Sequence, residues 1–151
     1  ARLIATTTRL NTPGPELATL PAVHAITDVT GFGLAGHALE LAKGSGCDVT
    51  INWLSVPLLE GVRTLAQSGC ITGASARNWA SYGTAITLPP NFSPVDQALL
   101  TDPQTSGGLL VACSPESVGA VQDIFHNHGF TDAAIVGKVE LRSEKPKLVI
   151  T

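Results

Sequence analysis

The stretch TDVTGFGLAGH, residues 27–37, constrains the fold more than any other part of the chain, because it places closely spaced glycines between two apolar segments. The segment before it, AVHAITDV, is short, apolar and partly β-branched, which predicts a buried strand. After it, the i, i+4, i+7 spacing of a helix face occurs at Leu34, Ala38 and Leu41. The GSG at residues 44–46 predicts the helix end, since glycine readily adopts the left-handed conformation of a C-cap. The sequence therefore predicts a strand, a glycine turn and a helix in succession.

The glycines of this turn, Gly31, Gly33 and Gly36, have the G-x-G-x-x-G spacing of a dinucleotide-binding turn. That fingerprint also requires an acidic residue about 20 residues further on, at the end of the second strand, to bind a ribose hydroxyl. Asp48 lies instead at the start of the second predicted strand. The dinucleotide interpretation is therefore incomplete.

Asp28 lies three residues before Gly31, where a bare carboxylate would repel bound phosphates. Two like unit charges about 4 Å apart repel by roughly 4 kcal/mol at an effective dielectric of about 20. A metal between them reverses the sign, since Mg²⁺ is typically held by one or two carboxylates together with substrate phosphates. Asp28 and the turn thus favour a metal–nucleotide site. Spacing alone leaves an alternative, in which the glycines only allow close packing of helix and strand and Asp28 caps the helix.

The composition is that of a globular domain, with 44% hydrophobic and 14% charged residues among 151. A net charge of -3 and scattered Lys and Arg residues provide no basic surface, so nucleic acid is not expected as a partner. No apolar run approaches the ~18–20 residues of a membrane span, and the amino terminus lacks a signal-peptide layout. We expect no membrane partner.

Cysteine usage indicates a reducing compartment. Cys47, Cys70 and Cys113 are far apart and outside any C-x-x-C pair, which indicates neither a disulfide framework nor a zinc site. A cytoplasmic location is therefore expected.

Helices and strands continue to alternate along the chain. CDVTINW predicts a strand, and Ser55 is a candidate N-cap for a helix that closes near Gly69. Residues 71–94 are rich in turn formers and predict turns and short helices, with TAIT as a short strand. VDQALLTD predicts a helical turn.

The last third of the chain predicts three strands and a helix. LLVACS is a strand, and Ser114 then caps a helix that ends at Gly129 and turns Val118, Val121 and Phe125 inward. AAIVGKVEL and KLVIT predict a hairpin closed by the charged turn RSEKP. This order predicts an α/β or α+β fold in which helices pack on a mixed β-sheet.

A second glycine-containing loop, DPQTSGG at residues 102–108, combines a carboxylate, two hydroxyls and two glycines. Its amides could form an anion-binding nest or a close-packed turn. An ordinary turn, in which Asp102 and Pro103 end a helix, is the alternative. Asn78, Ser81 and Tyr82 in the middle section either line a pocket or cap a helix.

Three stretches in this order closely resemble selenophosphate synthetase, also called selenide, water dikinase: HAITDVTGFGLAGH, GASARNWASYG and DPQTSGGLL. The resemblance is to the carboxyl-terminal half of that family and covers the chain from about residue 11 onward. TDVTGFG together with DPQTSGG is far more specific than a lone glycine pattern.

The resemblance implies the second domain of a superfamily that includes aminoimidazole ribonucleotide synthetase, thiamine monophosphate kinase and a hydrogenase maturation enzyme. That domain is a mixed sheet with flanking helices, partly similar to a ferredoxin-like layout, and it packs on an amino-terminal ATP-binding domain that dimerises. In the family, ATP, selenide and water give selenophosphate, AMP and orthophosphate with Mg²⁺.

The resemblance also implies roles for residues of both motifs. Asp28 matches the aspartate of the metal–ATP phosphate site, and Thr30, Gly31 and Gly33 would shape the turn near the phosphates. A further hypothesis assigns ligand contact to residues of the second motif: Asp102, Thr105, Ser106, Gly107 and Gly108.

No catalytic residue is assigned to this chain. The family's redox-active cysteine or selenocysteine and its catalytic lysine lie in an amino-terminal segment that has no counterpart here, and the three cysteines match neither. We expect residues 1–151 to be one carboxyl-terminal domain, inactive alone. Two alternatives stay open: a sister ATP-dependent enzyme acting on a purine or thiamine precursor, and a noncatalytic stand-alone binding module.

Overall fold

Helices and strands alternate through most of the chain in the computed structural model, which describes residues 2–141 and 145–151. The helices are α1 (Arg2–Thr7), α2 (Pro13–Leu17), α3 (Gly33–Ser45), α4 (Val62–Gln67), α5 (Gly73–Tyr82), α6 (Pro94–Leu100) and α7 (Val118–Asn127). The strands are β1 (Val23–Asp28), β2 (Asp48–Ile51), β3 (Ile86–Thr87), β4 (Leu109–Cys113), β5 (Gly137–Glu140) and β6 (Leu148–Ile150).

The strands form two sheets. β1 and β4 pair antiparallel, with Asp28 opposite Leu109. The other sheet has the order β3-β6-β2-β5 and is mixed, since β2 runs parallel to β6 and antiparallel to β5. The predicted fold class, a mixed sheet flanked by helices, is confirmed.

The predicted hairpin of the last two strands is wrong, because β2 lies between β5 and β6. Val49 and Ile51 of β2 are both buried, which makes β2 a central strand that needs a neighbour on each edge. All four residues of β5 are exposed, as suits an outer strand. Residues 142–144 of the predicted RSEKP turn lie outside the described residues.

The larger core lies between α3 and the four-stranded sheet. Small side chains let α3 approach the strands closely, and its buried residues include Ala35, Ala38, Leu39 and Ala42. They pack with the buried strand residues Val49, Ile51, Leu148 and Ile150. Full burial of a side chain such as Leu148 contributes about 1.5–3 kcal/mol. The predicted C-cap is confirmed, since Gly46 has a left-handed φ of 67°.

A second core lies between the β1–β4 sheet and the helices α2 and α7. Leu17, Val121 and Ile124 are its buried residues, and Phe125 packs against them as predicted. The predicted start of this helix is wrong, because a 3₁₀ turn at Pro115–Ser117 precedes α7. The Ser114 hydroxyl forms no cap and lies 3.0 Å from His24 Nε2 instead.

Of two further predicted elements, a short strand is found as expected and a helix begins later than expected. Thr87 and Ile86 form the short strand predicted in TAIT. The helix predicted from Ser55 begins instead at Val62. Pro57 explains the later start of the helix, because helical backbone angles are unfavourable for the residue before a proline. Val56 is accordingly extended, with a ψ of 118°. In the described part of the chain, every helix is too short or too polar to span a membrane.

Candidate functional site

The two glycine-containing motifs lie side by side. The Val29 amide donates to the Gly108 carbonyl oxygen at 2.9 Å, and the Gln104 amide donates to the Thr30 carbonyl oxygen at 3.0 Å. These bonds extend the β1–β4 pairing past its end, at the point where β1 leaves the sheet and β4 enters it. The TDVTGFG turn (residues 27–33) and the DPQTSGG loop (residues 102–108) therefore form one continuous surface.

Asp28 is the last residue of β1 and belongs to this surface. The residue is exposed, and its side chain forms no hydrogen bond or ion pair with the residues that the structure describes. The capping alternative is wrong, since Phe32 is the N-cap of α3 and no side chain caps that helix. Among the described residues the Asp28 carboxylate is therefore without a partner, and it is accessible.

The glycines of the first motif have different structural roles. A Cβ on Gly33 would lie 2.6 Å from the Thr101 carbonyl carbon, and its φ of 69° also disfavours a side chain. A Cβ on Gly36 would lie 3.2 Å from the Tyr82 ring. These two glycines therefore do allow close packing, but against the residues after α6 and against α5 rather than between the helix and a strand as the alternative expected. Gly31 differs, because no described atom lies within 4 Å of its Cβ position.

The two glycines of the DPQTSGG loop also have different surroundings. A Cβ on Gly107 would lie 1.7 Å from the Val29 carbonyl oxygen, whereas the Cβ position of Gly108 is open to 4 Å. The Asp102 carboxylate accepts a hydrogen bond of 2.9 Å from the Thr72 hydroxyl, which also caps α5. Asp102 and Gly107 thus have structural partners, and Gly108 faces open space.

The hydroxyls of the loop are at its surface. Ser106 Oγ donates to the Thr7 carbonyl oxygen at 3.3 Å, and the Asn11 side chain donates to the Gly107 carbonyl oxygen at 3.0 Å. Thr105 is exposed and has no side-chain partner among the described residues. The amino-terminal segment therefore contacts one side of the loop and leaves Thr105 accessible.

Backbone amides of the TDVTGFG turn are available to a ligand. Within the described residues, the amides of Thr30, Gly31 and Phe32 have no acceptor. They precede the 13-residue helix α3, whose positive dipole end favours an anion. The turn can therefore receive a phosphate group through its backbone.

Two of the side chains predicted to line a pocket or cap a helix instead hold this turn from α5. Asn78 Nδ2 donates to the Gly31 carbonyl oxygen at 2.9 Å, and the Tyr82 hydroxyl donates to the Phe32 carbonyl oxygen. Burial raises the pKa of Tyr82 to about 12. Their i, i+4 spacing on a helix was the available signal, and it indicated one shared face without naming its partner.

The two histidines near the first motif each contact a neighbouring hydroxyl, of Ser114 for His24 and of Thr30 for His37. His37 is buried, with Nε2 3.1 Å from the Thr30 hydroxyl and Nδ1 2.9 Å from Glu40 Oε2, the latter without hydrogen-bond geometry. His24 is exposed. His37 thus supports the turn from behind.

A cavity of about 620 Å³ borders the site between the two sheets. Asp102, Gln104 and Gly108 lie on its wall, and the remaining lining is mainly apolar. No three His, Cys, Asp or Glu side chains of the described residues come together as a metal site. A single carboxylate such as that of Asp28 is enough for a Mg²⁺ site in which substrate phosphates supply further ligands.

A family model described as AIR synthase related protein, C-terminal domain, matches residues 7–146. The selenide, water dikinase of Burkholderia orbicola (strain MC0-3) is 58% identical over 139 residues, which are 92% of this chain and 39% of that protein. The enzyme of the same name from Rhizobium meliloti (strain 1021) is 47% identical over 147 residues, 97% of this chain and 42% of that protein. The chain therefore spans about two fifths of the length of these relatives.

Solved structures with the same fold are more distant in sequence. The HypE–HypF complex contains a chain that matches with a TM-score of 0.67 at 21% identity, over 97% of this chain and 39% of the other. The hydrogenase maturation protein HypE in complex with ATP matches with a TM-score of 0.59 at 18% identity, over 93% of this chain and 36% of the other. These similarities establish the fold.

Proposed function

Since the chain belongs to the family AIR synthase related protein, C-terminal domain, we propose that it is the carboxyl-terminal domain of a selenide, water dikinase and completes that enzyme's ATP phosphate site. The overall reaction converts ATP, selenide and water into selenophosphate, AMP and orthophosphate. The identities of 47–58% to proteins of that name support this choice.

One observation carries the proposal: the two motifs that resemble the family meet at one surface, where Asp28 has no side-chain partner among the described residues and shortly precedes three amides that have no acceptor there. An acid next to an anion-binding turn is unfavourable unless a cation joins them. Mg²⁺, when bound there with ATP, would neutralise phosphate charge. Asp28 is therefore assigned as a metal ligand.

The backbone of the turn is assigned to the phosphates themselves. The amides of Thr30, Gly31 and Phe32 donate to phosphate oxygens, and α3 adds its dipole. Because Gly31 and Gly108 have no neighbours at their Cβ positions, both leave room for a phosphate to approach the backbone. Thr105 adds a hydroxyl donor at the rim, and Ser106 would do so by giving up its bond to the Thr7 carbonyl oxygen.

The remaining residues of the two motifs act by shaping the site. Gly33 and Gly107 allow the close approaches that bring the motifs together, and Asp102 fixes the start of the loop through Thr72. The ligand in this scheme is Mg²⁺-bound ATP, which agrees with the crystallisation of a protein of this fold with ATP.

The catalytic nucleophile, the catalytic lysine and the further metal ligands belong, in this proposal, to an amino-terminal domain that this chain packs against. The complete protein is a homodimer that acts in the cytoplasm on ATP and selenide. The three thiols of this chain, which are free, have no part in the reaction.

The test is an assay of the complete protein that contains this chain. We expect AMP and orthophosphate to form from ATP and Mg²⁺ only when selenide is added. A purine or thiamine precursor in place of selenide is the control for the sister enzymes of the superfamily. Turnover with such a precursor, or ADP as the nucleotide product, would contradict the proposal.

A second, inexpensive observation addresses the stand-alone alternative. The reading frame upstream of Ala1 is expected to encode an ATP-binding domain with the missing lysine and cysteine or selenocysteine. A start codon at Ala1 without upstream coding would favour a separate binding module.

A further inference from the structure

One face of α5 holds the carbonyl oxygens of the TDVTGFG turn. Asn78 Nδ2 donates to the carbonyl oxygens of Gly31 and Thr101, each at 2.9 Å. One helical turn later, the Tyr82 hydroxyl donates to the carbonyl oxygen of Phe32. Both side chains therefore contact consecutive peptide groups of the turn that precedes α3.

The Tyr82 contact holds the peptide whose Gly33 amide donates to the Thr30 carbonyl oxygen at 3.0 Å and so stabilises the turn, and the Asn78 contact fixes the direction of the free Phe32 amide. In a planar trans peptide, the C=O of one residue and the N–H of the next point in opposite directions. When Asn78 holds the Gly31 carbonyl toward α5, the Phe32 amide points away from α5. That amide has no acceptor among the described residues, so it is free to donate to a ligand on the open side of the turn.

α5 itself is anchored to the second motif. Ser75 is buried, and its hydroxyl oxygen lies 2.5 Å from the Ala98 carbonyl oxygen and 2.8 Å from Thr101 Oγ1. The Thr72 hydroxyl at the helix start donates to Asp102. The helix is therefore held against the start of the DPQTSGG loop while its later residues hold the TDVTGFG turn.

We propose that Asn78 and Tyr82 are positioning residues that keep the amides of the TDVTGFG turn directed at the ATP phosphates. They do so by binding the opposite, carbonyl side of the turn, and neither touches the ligand. This inference rests on the proposed function, because it takes ATP as the ligand of the turn.

The two contacts withstand changes of pH near neutrality. Burial raises the pKa of Tyr82 to about 12, so the phenol stays a donor. Glu40 is the charged group that acts on the Tyr82 hydroxyl, and its negative charge also favours the protonated phenol. The amide of Asn78 does not titrate. The hydrogen bonds of Asn78 and Tyr82 to the turn therefore keep the same protonation state near neutral pH.

Three substitutions in the complete protein test the proposal. Tyr82→Phe removes one donor and keeps the ring that packs near Gly36. Asn78→Asp keeps the shape and places a carboxylate oxygen against two carbonyl oxygens. Ser81→Ala is the matched control, because Ser81 is exposed on the same helix and has no hydrogen bond with described residues.

The measurements are calorimetric ATP affinity with Mg²⁺, the KM for ATP, kcat and the melting temperature. Loss of one hydrogen bond corresponds to roughly a two- to tenfold change in an equilibrium. We expect Tyr82→Phe and Asn78→Asp to weaken ATP binding and raise the KM by about fivefold, with kcat nearly unchanged. Ser81→Ala should behave like the wild type.

Unchanged ATP affinity in both variants would overturn the proposal. If Asn78→Asp does not fold, Tyr82→Phe alone decides. A wild-type protein that binds ATP but does not use selenide contradicts the proposed function. Weaker ATP binding by the variants would then still support the positioning role of Asn78 and Tyr82. A wild-type protein that does not bind ATP overturns both.

Discussion

The amide of Val29 and the carbonyl oxygen of Gly108 are joined by a hydrogen bond of 2.9 Å, and this bond brings together two motifs that are distant in the sequence. It continues the antiparallel pairing of β1 with β4 beyond Asp28 and Leu109. Because the backbone of Gly107 must pass the Val29 carbonyl so closely, the geometry of the site depends on the absence of a side chain there.

Gly107→Ala is therefore expected to lower the free energy of unfolding by about 3 kcal/mol, since the new Cβ would lie 1.7 Å from the Val29 carbonyl oxygen. Gly108→Ala is the control, because its Cβ position is open, and it should change stability by less than about 1 kcal/mol. Urea unfolding of both variants measures the difference. Equal stabilities would show that the two motifs do not approach as described.

Gly31→Ala separates ligand binding from folding. Its Cβ position has no neighbour within 4 Å, so the melting temperature should stay near that of the wild type. A methyl group on the open side of the turn should hinder a phosphate, and we expect weaker ATP binding by the complete protein in calorimetry. Gly33→Ala should instead mainly lower the melting temperature, because Gly33 has a φ of 69° and a Cβ there would contact Thr101. ATP affinity unchanged by Gly31→Ala would place the phosphates elsewhere.

Ser75→Ala tests the anchoring of α5. The change removes the buried hydroxyl that lies 2.5 Å from the Ala98 carbonyl oxygen and 2.8 Å from Thr101 Oγ1, which should cost about 1–3 kcal/mol. Ser81→Ala is the same substitution at an exposed position of the same helix and should cost less than about 0.5 kcal/mol. Thermal and urea unfolding give both values. A Ser75→Ala variant as stable as Ser81→Ala would contradict a buried hydroxyl pair.

Alkaline titration provides a separate test of the Tyr82 environment. Burial raises its pKa to about 12 from the ordinary 10.0, so the folded state retains a proton that the unfolded state has already lost. Its contribution to stability is therefore complete below pH 10 and is lost as the pH rises from 10 toward 12. Tyr82→Phe should reduce this alkaline decline.

Because Tyr82 is the single tyrosine of this chain, tyrosinate absorbance reports on it alone. We expect its titration midpoint to lie above that of the same chain in denaturant. A midpoint near 10.0 in the folded chain would show that the hydroxyl is not buried against the turn.

Elements with strong local signals could be predicted from the sequence. The β1–turn–α3 unit follows from a β-branched run, a glycine turn and helical spacing, and Gly46 ends the helix because a left-handed cap needs no tertiary contact. The strand β4 likewise follows from its apolar run. The start of α4 was missed because Pro57 restricts Val56, a local effect that outweighed the capping signal of Ser55.

Pairing between distant segments could not be predicted. The hairpin of β5 and β6 was expected from their proximity in the chain, whereas the burial of Val49 and Ile51 places β2 between them. In the site, Asp28 and the glycines carry visible patterns. Asn78 and Tyr82 also stand out in the sequence, but as pocket-lining or capping candidates, since their contacts depend on which carbonyl groups the fold sets opposite them.

The central claim is that Asp28 holds the metal of a metal–ATP site, and calorimetric titration of ATP into the complete protein, with and without Mg²⁺, tests it most directly. Asp28→Asn should leave the melting temperature unchanged, because the carboxylate has no partner among the described residues. Asp123→Asn on α7, also exposed, is the control.

We predict that Mg²⁺ strengthens ATP binding by the wild type and by Asp123→Asn. In Asp28→Asn, the factor by which Mg²⁺ strengthens ATP binding should fall by about 10–100-fold or more. Loss of a residue that only supports a metal ligand already costs about 10–100-fold in metal affinity. Selenide-dependent AMP formation should fall with it. Wild-type Mg²⁺-dependent ATP affinity in Asp28→Asn would contradict the account.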